Sequence, residues 1–223
     1  MDIDSDPVIL ERQMQEVQKS IGVGTHVVQV VIPTDADLPP AQFACDKHFH
    51  LGEAYLAGNQ ARPAIRRFEQ ALSAFDGRSA YEHFGVAVKL GLAEAHAAID
   101  VGQWQQALKY LDEILAVSPD DDRAHTIKAR VYVRMARSDD TNRSNANAYL
   151  SAMAALKSNS KNFEAGCYLG YIGFHLFKAK GNFEEMAHSI QNLKSTQSRY
   201  PLPPLAVIIR ACETEVERLR GQS

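Results

Sequence analysis

The 223-residue chain is defined first by what it has little of. No stretch approaches the ~20 consecutive apolar residues of a membrane-crossing helix, so no membrane partner is expected. Cysteines number three, Cys45, Cys167 and Cys212, odd in count and far apart. They fit buried thiols in a reducing compartment better than a disulfide framework. Excess charge of either sign is missing: 24 Lys and Arg oppose 27 Asp and Glu, for a net −3. Bulk attraction to nucleic acid or an anionic surface is therefore not expected. The first six residues, Met1-Asp2-Ile3-Asp4-Ser5-Asp6, are acidic without an apolar core and do not read as a signal peptide. The expected location is the cytoplasm. Catalytic signatures are missing too: no phosphate-binding loop, no Gly-x-Ser-x-Gly elbow, no His-Glu-x-x-His. Gly22-Val23-Gly24 lacks the third glycine of a dinucleotide loop and reads as a helix stop. The chain is thus expected to be no enzyme and to need no cofactor.

What is present is a globular composition, 45% apolar and 23% charged, enough for one domain or two small ones. Residues 1–40 differ from the rest. Val8-Ile9-Leu10, Met14, Val17 and Ile21 recur at helical spacing, predicting an amphipathic helix over 7–21. Val27-Val28-Gln29-Val30-Val31-Ile32 reads equally as a short strand, an extended arm on the main body or a pairing segment for another chain. Thr34 to Pro40 is a linker by composition. From residue 41 to 223 helical periodicity dominates. Eight helices in four pairs are expected between Ala41 and Arg199, separated by Gly58-Asn59, Asp76-Gly77, Gly102, Pro119-Asp120 and Gly181-Asn182. A further helix, 205–219, aligns Leu205, Ile208, Ile209, Cys212, Val216 and Leu219 on one face.

The pairs carry a repeat. His48-x-x-Leu51-Gly52-x-x-Tyr55 is followed by Ala64-x-x-x-Phe68-x-x-Ala71. The second unit has Ala95, then Gly102-x-Trp104-x-x-Ala107-x-x-x-Leu111. The third has Ala129-x-x-Tyr132 and Ala148-x-x-x-Ala152, and the fourth Gly181-x-Phe183-x-x-Met186-x-x-x-Ile190. This pattern resembles the tetratricopeptide repeat. The resemblance implies an all-α superhelix, a solenoid of about four helix pairs with residues 205–219 as its cap. Departures are visible. Glu94 precedes Ala95, Lys128 precedes Ala129, and bulky Phe174 stands where the family has Gly or Ala, predicting a wider crossing in the fourth pair. Spacings of 43, 41 and 38 residues exceed the repeat of 34. The first excess predicts a long helix over 80–100, the second a polar loop over 138–145.

In that family the first helix of each pair lines a concave groove that holds a partner peptide or helix. Carried over by position, the groove side takes Asp46, Phe49 and Glu53, then Lys89, Leu92 and His96. It continues with Arg123, Thr126, Arg130 and Arg134, then Tyr168, Tyr171, His175 and Lys178. Helix 123–137 has five cations and no acid, with Arg123, Arg130, Arg134 and Arg137 on one stripe. A basic and aromatic wall suits an acidic, partly apolar segment, because arginine forks pair with carboxylates and tyrosine stacks at low entropic cost. That segment belongs to a partner or to the chain's own Asp2-Asp4-Asp6. The expected function is a protein-interaction module, as adaptor, assembly factor or secretion-type chaperone, with self-association through the N-terminal arm a further expectation. The alternatives are a scaffolded enzyme or ligand sensor using His96 and His175, and an RNA binder using the arginine stripe. Cys45-x-x-His48-x-His50 gathers metal-ligand types without a second cluster to complete a site, so no metal is expected.

Overall fold

The computed structural model describes residues 40–75, 83–99, 103–138, 142–201 and 203–222. The expected helix over 7–21, the run 27–32, the acidic start and the linker up to Pro39 lie outside them. The described residues form nine helices and no strand. They are α1 (Pro40–Ala57), α2 (Ala61–Ala74), α3 (Phe84–Ala98), α4 (Trp104–Val117) and α5 (Asp122–Ser138). Then follow α6 (Asn142–Ser158), α7 (Phe163–Lys178), α8 (Phe183–Arg199) and α9 (Pro203–Arg220).

Local chemistry sets many of the boundaries. Asn59 turns the chain between α1 and α2 at φ 56°, a left-handed conformation that asparagine tolerates. Asp121, Asn162 and Asn182 cap α5, α7 and α8, their side-chain oxygens accepting from the N–H of Ala124, Ala165 and Glu185 at 2.8, 3.0 and 3.2 Å. Two expectations fail here. The long helix over 80–100 does not form, because His83 sits at φ 55° and α3 begins after it. The polar loop expected over 138–145 is shortened at both ends, α5 running through Ser138 and α6 starting at Asn142, while residues 139–141 lie outside the described residues.

The all-α class is as expected: α1 to α4 pack in sequence, as do α6 to α9. The chain divides into two compact units, the division falling within α5 between Ile127 and Lys128. In the first unit α1 packs on α2, α2 on α3 and α3 on α4, and α1 also reaches α3. Phe68 of α2 is fully buried at the centre of this arrangement. A Cβ at Gly52 on α1 would lie 2.6 Å from its ring, and one at Gly91 on α3 would be closer still. One phenyl ring thus fills the space that two missing side chains leave on two helices. Phe49, Phe75 and Phe84 extend the cluster with centroid spacings of 4.9–6.0 Å.

In the second unit α6 packs on α7, α7 on α8 and α8 on α9. The fourth pair does not cross widely. Gly166, Gly170 and Gly173 form a smooth stripe along α7, and α8 lies directly on it. Cβ atoms there would meet Thr196 Oγ1 at 2.5 Å, Leu193 Cγ at 2.5 Å and Ser189 Oγ at 2.7 Å. Phe174, one turn after Gly170, is fully buried in the same core as Met186 and Leu193 of α8. The small residue that permits close approach is therefore Gly170, preceded by Leu169, the same Leu-Gly pairing as Leu51-Gly52. α9 closes the unit, burying Leu205, Ile209, Cys212 and Val216. Ile208 and Leu219 pack against the same cluster.

Candidate interaction surfaces

The residues expected on a groove wall divide into two kinds. Phe49, Leu92 and Tyr168 are buried core residues, as is the polar Asp46. They are corrected from partner contacts to packing. The reason is that a helix in a stacked pair touches both its own partner and a neighbouring helix, so the apolar positions on its inner side are consumed. Thr126 is also buried, its hydroxyl donating to the Asp122 carbonyl at 2.6 Å. His96 is buried too, with Nδ1 2.6 Å from Gln103 Oε1 and its ring stacked on Tyr110.

The charged positions are mostly engaged within the fold. Glu53 lies 3.4 Å from His50 Nδ1, Lys89 pairs with Glu113 at 2.7 Å, and Lys178 with Glu215 at 3.0 Å. Arg130 makes a bidentate pair with Glu164 of α7, Nε to Oε1 at 2.7 Å and an Nη to Oε2 at 2.8 Å. Its fork was expected to meet a partner's carboxylates, and it meets the chain's own. Arg123 is exposed, Arg134 and Tyr171 are half-buried, and His175 rests edge-on against Tyr171 at 4.5 Å. His96 and His175, the acid–base pair of the enzyme alternative, belong to different units. The side chain of Arg137 lies outside the described residues.

Replacing Arg130 by alanine removes two charge-assisted hydrogen bonds from Glu164, whose side chain is 11% exposed. We expect a loss of about 2–3 kcal/mol, read from urea unfolding. A change under about 0.5 kcal/mol would return Arg130 to the exposed class that sequence reasoning gave it.

The other candidates around the expected motifs are equally internal. Cys45 is buried and its thiol donates to Asp46 Oδ1 at 3.4 Å. His48 lies 3.5 Å from Arg67, and burial together with the Arg67 and Lys47 charges lowers its pKa. No group of three His, Cys, Asp or Glu among the described residues is placed to hold a metal. Burial pushes the Cys167 thiol far up and the Cys212 thiol to about 12, so both are protonated and inert at neutral pH.

Two surface features went unnoticed in the sequence. The first is the outer face of α6. Leu150 and Met153, at i and i+3, are 59% and 45% exposed. Arg143 and Lys157 are exposed toward the two ends, and the helix holds no acid. The sequence signal was hidden because leucine and methionine at helical spacing read as core. The second is a cleft of about 200 Å³ between the α6–α7 turn, the start of α7 and the end of α8.

With this geometry in view, the comparisons bear on the first feature. Residues 68–159 match a family model described as alkyl sulfatase dimerisation. The match covers less than half of the chain, from Phe68 to the turn just after α6, and it contains Leu150 and Met153. No curated protein matches the sequence. No helix among the described residues is long and apolar enough to cross a membrane.

Proposed function

We propose that this chain is a non-catalytic helical-pair protein-interaction module of tetratricopeptide type, acting in the cytoplasm, whose first partner is a second copy of itself. The observation that carries self-association is the similarity of residues 68–159 to a dimerisation family. The exposed Leu150–Met153 face within that segment supports α6 as the contact. Large apolar side chains side by side on a solvent face cost solubility unless something covers them. In a two-fold pairing the same patch serves both copies, so α6 of one copy packs on α6 of the other. Patches on neighbouring surface must add to it, because a stable interface removes about 800 Å² per partner.

The repeat reading rests on the close approach at Gly52 and the corresponding Leu169-Gly170 on α7. The exposed Leu150 and Met153 support an adaptor or assembly role. The engagement of Arg130 and Lys178 within the fold weighs against an acidic segment or RNA on the arginine and tyrosine positions.

The test is the mass of the full chain in solution by sedimentation equilibrium. Twice the 24.7 kDa chain mass is expected at micromolar concentration. A monomer at every concentration would overturn the proposal. Leu150→Glu with Met153→Glu is expected to yield a folded monomer, with circular dichroism as the folding control. A dimer that survives both changes moves the contact off α6 and leaves self-association standing.

A further inference from the structure

The cleft at the end of the α7–α8 pair has a lining of unusual chemistry. Its polar contributors include Ser160, Lys161, Asn192, Ser195 and Arg199, and none of its lining residues is acidic. Among the described residues neither the Lys161 ammonium nor the Arg199 guanidinium meets a carboxylate. Arg199 spends one N–H on the Ser160 carbonyl, leaving most of its five donors. The Asn192 amide and the Ser195 hydroxyl have no protein partner there either. The apolar part of the lining is made by Leu156, Phe163 and the ring of Tyr200.

The walls are held in place without a ligand. Tyr200 donates its hydroxyl to the Lys161 carbonyl at 2.8 Å and sets its ring edge-on against Phe163 at 5.1 Å. With the Arg199 bond, this ties the end of α8 to the turn before α7. A binding surface already fixed in shape loses little freedom when it is filled.

We propose that this cleft binds a small organic carboxylate with a short apolar body. Two cations facing no acid select an anion. Adjacent aromatic and aliphatic walls select one with an apolar body over inorganic phosphate. About 200 Å³ is room for on the order of seven waters, which matches a branched acid of a few carbons. The carboxylate sits between Lys161 and Arg199 and accepts from Asn192 and Ser195, with the alkyl group against Leu156, Phe163 and Tyr200.

The experiment is titration of the full chain with 4-methylpentanoate, followed by amide shifts in nitrogen–proton correlation spectra. Saturable shifts confined to 156–166 and 192–200 are expected. The neutral analogue 4-methylpentanamide should bind at least tenfold more weakly. Inorganic phosphate should also bind at least tenfold more weakly, for want of the apolar contact. Lys161→Gln, which removes a charge without breaking an internal bond, should weaken the acid at least several-fold and leave the fold unchanged. Equal binding of acid and amide, equal or tighter binding of phosphate, or no saturable shift at millimolar acid each overturns the proposal. The outcome does not depend on whether the chain dimerises.

Discussion

Gly52→Leu and Gly91→Leu should each unfold at markedly lower denaturant than the parent, with losses of about 3 kcal/mol. Both glycines face the same ring. Phe68 is fully buried between α1 and α3, and a Cβ at either glycine already lies well inside van der Waals distance of it. The ring has nowhere to swing, because Phe49 is packed 6.0 Å away, centroid to centroid, within the same cluster. The helix itself gains from the change, since leucine is the better helix former by up to about 1 kcal/mol, so the net loss understates the clash. A second variant separates clash from any other cause. Phe68→Ala alone should cost about 3–5 kcal/mol through its cavity. Combined with Gly91→Leu it should cost less than the sum, because the new side chain enters the space the ring vacates. Additive losses in the double variant, or parent-like melting of either glycine variant, would show that the three helices are not drawn together on Phe68.

Ending the chain after Tyr200 should give an insoluble or aggregating protein. α9 buries Leu205, Ile209, Cys212 and Val216 on the second unit's core. At roughly 1.5–3 kcal/mol per large side chain, their contribution rivals the whole stability of a typical domain. A terminal element of this kind covers the apolar face that the last pair would otherwise expose. Its attachment is also electrostatic. Glu215 is held at a pKa of about 2 by hydrogen bonds from Arg218 on its own helix and Lys178 on α7, with Lys178 Nζ at 3.0 Å. A carboxyl depressed in the folded state stabilises fully above its ordinary pKa, and that stabilisation is lost as pH falls toward 2. The parent should therefore lose stability on acidification from pH 5 to 2 more steeply than Glu215→Gln does. Identical acid profiles would remove Glu215 from the attachment, and a soluble, fully helical truncation would assign α9 to a partner.

Much of this fold was legible in order along the chain. Helix periodicity, the Asn59 turn, the Asn182 and Asp121 caps and the apolar face of α9 all depend on neighbours within a few residues. Hydrogen bonds from i to i+4 and a cap's reach of three residues are local, and sequence displays local relations directly. The eight helices between Pro40 and Arg199 follow from them. At the start of α3 locality misled through a single backbone angle: His83 sits at φ 55°, and nothing in its flanking sequence announced that.

The chain by itself determined an all-helical protein of paired helices with an amphipathic last helix, because those features are written in spacing and caps. Tertiary structure alone decided which face each helix turns inward. Phe49 and Tyr168 went to the core, Leu150 and Met153 to solvent, although all four obey helical spacing. It also decided which charges are taken. Arg130 and Glu164 lie 34 residues apart in sequence and 2.7 Å apart in the fold, a pairing no periodicity reveals. Gly91 and Gly170 are poor helix formers by propensity, yet Phe68 and Leu193 lie on them and need the space left by the missing side chains. Packing is a relation between surfaces distant along the chain, and only the folded arrangement shows which surfaces those are.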